Sequence, residues 1–340
     1  MTPPLARFVH LPDDAPGLAV SRQDGRVSGR DERNGMDAGT LGIAAMMVIT
    51  WGSASVATKV GMESYGPGQL ALFRFLITAA IMVVYALVTR MRIPPRRDIP
   101  GLIWLGVIGI SITQLAFAYG MTTVDPGTAT FLMATIPVMT AVLARFVLKE
   151  RLTPAGWAGI GLTVVGTSVL VLGQGEGLAY TRGAIILLIG AFAEAVFYIK
   201  QKPWLRRYSG IEVGTWSLLG ATLPLLVFLP GLGGQIRSAT TESTAAVAYV
   251  AVGAGAIGYL AMSTVNARLP ASAAAVMMAL LPPVALATAW LWLGVTPPPL
   301  SIIGGAISLA GVMLVTLRGQ SHPLASPAPE PDPATVAVAD

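Results

Sequence analysis

The side chains able to do chemistry in this 340-residue chain are few, and several lie inside apolar text. Glu194 stands about twelve residues into an apolar run, and no other acid lies so far from a polar break. An ionised group at that depth in hydrocarbon costs at least ~2.5–3.5 kcal/mol on insertion scales, so its presence needs a reason. A carboxylate there can carry a coupling proton or bind a substrate ammonium. It can equally stay neutral and hydrogen-bond a neighbouring helix. Arg74 and Lys59 are the corresponding cations. Arg offers a bidentate fork to a carboxylate and Lys a point charge. Snorkelling to the interface, or pairing with Glu63 or Asp125, would account for them without a ligand.

Polar and aromatic residues flank these charges. Trp51, Ser55 and Lys59 follow an i, i+4, i+8 spacing and share one helix face, with Thr58 beside them. Glu194 and Tyr198 repeat that spacing. Gln114, Tyr119, Trp216, Tyr259 and Asn266 are further candidates to line a substrate cavity, although helix packing or interfacial anchoring explains any one of them alone. Pro137 and the pair Pro282–Pro283 remove helical hydrogen bonds and are candidate hinges, a static bend being the simpler alternative.

Other chemistries are excluded by what is missing. There are no cysteines, and the two histidines, His10 and His322, lie in polar tails. Thiolate chemistry is therefore ruled out, and no metal centre or cofactor is expected. Nothing matches the phosphate-binding G-x-x-x-x-G-K-[ST] pattern, so ATP does not drive the protein through such a loop. No cluster of acids and histidines marks an enzyme.

The elements that must hold these residues follow from composition. Hydrophobic residues make up 54% and charged residues 11%, against about 25% charged in soluble domains. A bilayer is the solvent that accepts such a chain. Apolar stretches run near 41–60, 68–89, 100–121, 127–148, 154–173, 183–201, 211–231, 245–265, 272–293 and 300–318. Each is long enough to cross ~30 Å of hydrocarbon as a helix. The fold class expected is an all-α membrane protein with ten transmembrane helices, Glu212 inside 211–231 being the main challenge to that count. Residues 1–40 and 319–340 read as disordered cytoplasmic tails.

Basic residues orient the helices. With the N-terminus inside, seventeen Lys and Arg fall in inside segments, and only Arg182 and Arg237 fall outside. The net charge of +5 thus belongs to topology and not to nucleic-acid binding. Both termini are expected in the cytoplasm. The excess of Arg over Lys points to a GC-rich bacterial source, hence to the cytoplasmic membrane.

The halves resemble each other. A shift of 145 lays PGTATFLMATIPVMT (126–140) over ASAAAVMMALLPPVA (271–285), placing Pro137 on Pro282, Pro154 on Pro299, Gly159 on Gly304 and Gly166 on Gly311. A shift of 141 places Gly42 on Gly183 and Lys59 on Lys200. Two five-helix repeats, 41–173 and 183–318, would be inverted relative to each other because five is odd. Such inversion is a device of secondary transporters.

The repeat text resembles the EamA family of the drug/metabolite transporter superfamily. The resemblance shows in WGSASVATKVG (51–61), LFRFLITAA (72–80) and IPVMTAVLARFVLKERLTPAGWAGIGLTVVGTSVLV (136–171). It covers roughly 41–318 and implies ten helices, alternating access and export of amino acids or other small metabolites. One departure is Val295, which aligns with Glu150 of the first half. The expected function is secondary export of a small-molecule substrate, with the lipid bilayer as surroundings and no nucleic acid. A monomer suffices for it. The alternatives are an accessory membrane subunit and, further off, an intramembrane enzyme.

Overall fold

Nearly every apolar run begins at a proline or a polar cap, and these punctuation marks decide where helices start. A computed structural model describes residues 38–149, 151–173, 177–268 and 277–318. The chain forms α1 (Ala38–Gly61), α2 (Pro67–Val88), α3 (Ile99–Gly120), α4 (Pro126–Val147), α5 (Pro154–Leu172), α6 (Gly177–Leu205) and α7 (Gly210–Phe228). There follow a short α8 (Leu232–Ser238), α9 (Thr241–Met262, continuing helically to Arg268), α10 (Met277–Leu293) and α11 (Pro299–Arg318). No β-strand occurs among the described residues.

Asp125 caps α4 by accepting from the Thr128 amide at 2.9 Å, and Thr153 caps α5 by accepting from the Gly156 amide at 3.0 Å. Proline follows each cap, where its missing N–H costs nothing. Glu212, which challenged the helix count, belongs to a capping box. Its carboxylate accepts from the Ser209 amide at 2.7 Å, and Ser209 Oγ accepts from the Glu212 amide at 3.2 Å. The acid therefore starts α7 and does not interrupt it.

Nine of the described helices are long and apolar enough to span a membrane, and α10 is shorter. The residues before α10, 269–276, lie outside the described set, as do the expected tails except for their last residues, 38–40.

Two irregularities recur at matching places in the halves. α3 contains a π-helical segment, Gly106–Ser111, and α9 contains another, Val250–Ile257, which starts 144 residues later. A π turn re-aims backbone carbonyls, and partners on other helices take them up. Thr78 Oγ1 donates to Ala251 O and Trp51 Nε1 to Ala254 O, at 2.9 and 2.8 Å. Helix α4 is broken after Met133 and resumes at Ile136, with Pro137 in its new first turn. Helix α10 breaks at Leu280 and resumes at Leu281, with Pro282 in the same place.

Helices α5 and α11 pack along each other in opposite directions. Gly159 meets Gly311, Gly166 meets Gly304 and Ser308, and Ser301 Oγ donates to Leu170 O at 3.2 Å. A β-carbon on Gly166 or Gly304 would land on the facing backbone, so glycine sets how near these helices come.

For reference, the near face is the end where α1 begins and the far face the end where it stops. At the near face, Asp98 accepts from Tyr208 Oη and Arg207 Nη2, each at 2.6 Å. At the far face, Tyr65 Oη and Thr244 Oγ1 are hydrogen-bonded at 2.8 Å, and the Gly66 amide donates to Gln235 Oε1 at 3.0 Å.

Candidate functional site

Helix rise places the polar side chains by depth. Glu194 stands thirteen residues after Thr181 in α6, about 20 Å from the far face at 1.5 Å per residue. Trp51 lies near the same level in α1. Arg74 of α2 and Gln114 of α3 lie about 10 Å below the far face, and Tyr259 sits in the near third of α9.

Arg74 Nη1 donates to Gln114 Oε1 at 2.9 Å, which joins two of the expected residues. The guanidinium also lies 5.6 Å from the Phe75 ring centroid. Arg74 Nε is buried and has no hydrogen-bond partner among the described residues. Tyr198 Oη donates to Glu194 Oε1 at 3.2 Å, the i, i+4 relation expected of one face. Tyr259 interacts electrostatically with both Arg74 and Glu194. No ion pair joins Arg74 to Glu194. Arg74, Gln114, Glu194, Tyr198 and Tyr259 all lie within the bundle yet keep accessible surface, Tyr259 being 37% exposed. Trp51 meets Tyr259 edge-on at 5.8 Å between centroids, and its indole lies where Gly258 leaves room for it.

Two openings flank this polar stretch. A cleft of about 450 Å³ at the far face is lined by Lys59, Glu63, Tyr65 and Thr122 among others. A narrow pocket of about 40 Å³ lies between α2, α7 and α9, with Gly214, Thr215 and Tyr259 in its wall.

The remaining expected residues are placed as follows. Lys59 points into the far cleft and donates to Met121 O at 2.9 Å, at the carboxyl end of α3. That position suits a cation, since exposed carbonyls and the helix dipole converge there. Ser55 is buried, its hydroxyl turned to Gly52 O of its own helix at 3.4 Å. Tyr119 is 42% exposed and stands five residues from Gln114, so it points to a different side of α3. The side chain of Asn266 and the whole of Glu150 lie outside the described residues. Pro137, Pro282 and Pro283 sit at the helix breaks described above.

Residues that pattern reading did not single out are Asp98, Arg207, Tyr208, Thr78 and Tyr249. Two cations lie over Tyr208, the Arg92 and Arg207 guanidinium carbons each 5.7 Å from its ring centroid. The hydrogen bond to Asp98, more than any other influence, raises the Tyr208 pKa above the ordinary tyrosine value. Tyr249 Oη is hydrogen-bonded to Ser53 Oγ at 2.7 Å. One signal was present in the sequence: Tyr65 and Tyr208 are 143 residues apart, each just before the second helix of its half.

Polar and charged groups held at mid-depth among membrane-spanning helices define a membrane transporter. More narrowly, the chain belongs to the EamA-like transporter family, which matches residues 39–172 and again 181–317. It is similar to an uncharacterized transporter, YdfC, of Bacillus subtilis, with 32% identity covering 81% of this chain and 90% of that one. A probable terminal-alkyne amino-acid exporter of Streptantibioticus cattleyicolor is 35% identical, covering 80% and 92%. A probable amino-acid metabolite efflux pump of Salmonella typhimurium is 28% identical over 80% and 93%. Among the solved structures that match, a crystal structure with a TM-score of 0.56 and 18% identity covers 83% of this chain and 98% of the other, which shows the fold alone.

Proposed function

We propose that the chain is a secondary transporter that exports small metabolites, amino acids foremost, across the cytoplasmic membrane by alternating access between two inverted five-helix halves. The observation that carries this reading is the set of polar and charged groups contributed within the bundle by both halves: Arg74 and Gln114 from one, Glu194, Tyr198 and Tyr259 from the other. Charges left unpaired so deep are costly unless a ligand or a proton compensates them.

Several features support inversion. The π segments, the helix breaks and the tyrosines before α2 and α7 recur at spacings of 143–145 residues. The repeat-related pairs Gly159–Gly311 and Gly166–Gly304 are reciprocal in an antiparallel contact, as a two-fold axis in the membrane plane requires. On this reading α10 and the residues before it complete the tenth span, and the near face is cytoplasmic, where most Lys and Arg gather. The breaks at Pro137 and Pro282 are the hinges of the rocking motion. The amino-acid assignment draws on the names given to two relatives.

Glu194 is the proton-coupling carboxylate or the ligand of a substrate ammonium. The test is uptake of radiolabelled amino acids into liposomes holding the purified protein, with and without an imposed pH gradient. Saturable uptake that depends on the protein is expected. Failure with every amino acid would remove that substrate class.

A further inference from the structure

We infer that Arg74 is the specificity residue for a substrate carboxylate, recognised side-on through its Nε and Nη2 edge, with Gln114 as the positioning residue. The inference rests on the transport reading above and gives it a chemical requirement.

A guanidinium presents five N–H donors in a plane, and a carboxylate fits along an edge of that plane with two parallel hydrogen bonds. Gln114 Oε1 takes the donor at Nη1, 2.9 Å away. This contact fixes the plane at one corner, and the Nε donor stands on the opposite edge. That edge is where the buried, unpartnered donor is found, because Nε makes no hydrogen bond to any described residue. Among the described residues no carboxylate closes it, since Glu194 is held by Tyr198 and forms no ion pair with Arg74. A structural arginine at this depth would be expected to have its charge neutralised within the protein. Here the neutralising group is left for the substrate to bring.

Carboxylate is preferred over phosphate because of what lies further along the path. By helix rise Glu194 lies about 10 Å deeper in the bundle than Arg74, and a carboxylate there disfavours a dianion while welcoming an ammonium. A molecule with one carboxylate and one amine meets both demands. Lysine in place of Arg74 would keep the charge but lose the fork.

The experiment uses the wild-type carrier in liposomes, loaded in turn with each of the twenty L-amino acids. For every one taken up, competition is measured with the same amino acid, its α-amide and phosphoethanolamine. The expected result is competition at least tenfold weaker from the amide and from phosphoethanolamine. In Arg74→Lys, the KM for the amino acid is expected to rise about tenfold, the amide to compete as in wild type, and the two to become nearly equal. Equal competition by acid and amide in wild type would overturn the inference and leave transport standing. So would retention of the preference in Arg74→Lys. Competition by phosphoethanolamine equal to the amino acid would assign the edge to phosphate and also overturn it. Uptake of no amino acid would remove that substrate class and overturn this inference with it. The wild-type comparison needs no variant, so misfolding of Arg74→Lys cannot hide the answer.

Discussion

Tyr208 donates a 2.6 Å hydrogen bond to Asp98 across 110 residues of chain, tying the loop before α7 to the N-cap residue of α3. Arg207 adds a 2.6 Å ion pair to the same carboxylate oxygen. At the opposite face Tyr65 makes the related contact to Thr244 between neutral hydroxyls. Charge-assisted hydrogen bonds are roughly twice as strong as neutral ones, so the near-face closure is the firmer of the two. Asp98→Asn and Tyr208→Phe should therefore shift the population toward states open at the near face, whereas Tyr65→Phe should shift it the other way. The native chain has no cysteine, and a β-carbon on Gly214 meets nothing within 4 Å, so Gly214→Cys is a clean reporter in the near-side pocket. Its labelling by a polar maleimide should quicken several-fold in Asp98→Asn and slow in Tyr65→Phe. Unchanged rates in both backgrounds would mean that neither contact governs opening.

The same contact sets a pH limit. The Tyr208 pKa is raised, chiefly by its hydrogen bond to Asp98, so its stabilising contribution is complete below the ordinary tyrosine value of 10.0. The contribution is lost as pH rises through the higher value of the folded protein. Labelling of Gly214→Cys, corrected for the reactivity of a free thiol, should be flat from pH 7 to 9 and quicken only above 10. In Tyr208→Phe that alkaline rise should vanish. A rise that survives in Tyr208→Phe would have to come from another group.

Much of this architecture was legible in the sequence, for identifiable reasons. The helices are apolar and most start at a proline or a polar cap, so pattern located them, and Pro137 and Pro282 announced the two breaks. The i, i+4 geometry of Glu194 and Tyr198 is local and carried over directly. What stayed hidden depends on partners far away in the chain. Lys59 ends on a backbone carbonyl, Met121 O, which no search for opposite charges would find. In the π segment of α9, carbonyls of Ala251 and Ala254 are met by Thr78 and Trp51, more than 170 residues away. Asp98 and Tyr208 lie in polar loops where no periodicity points to a partner.

The α5–α11 contact predicts a contrast between two glycines of one helix. A β-carbon on Gly166 strikes the backbone at Ser308 and Gly304, whereas one on Gly161 meets nothing within 4 Å. Gly166→Ala should destabilise by about 1–3 kcal/mol, the usual range for overpacking a tight contact. Gly161→Ala should be neutral or stabilising by up to ~1 kcal/mol, since alanine is the better helix former. Thermal melting of the two variants in the same detergent decides it. Equal melting temperatures would mean that the helices separate freely at Gly166.

Glu194 supplies the sharpest functional contrast. Its carboxylate accepts one hydrogen bond among the described residues, from Tyr198, and has no cationic partner. Replacement by glutamine keeps the shape and the acceptor but removes the proton-carrying group. If Glu194 couples transport to protons, Glu194→Gln should abolish the stimulation of uptake by an imposed pH gradient while leaving exchange of internal for external substrate within about twofold of wild type. If it binds a substrate ammonium instead, exchange should fall at least tenfold, as expected from the loss of a charged hydrogen bond worth about 1.5–3 kcal/mol. Tyr198→Phe separates the cases further. Removing the Tyr198 hydroxyl takes away a donor to the carboxylate and should shift the pH profile of uptake without abolishing it, and a profile identical to wild type would detach Tyr198 from the coupling step.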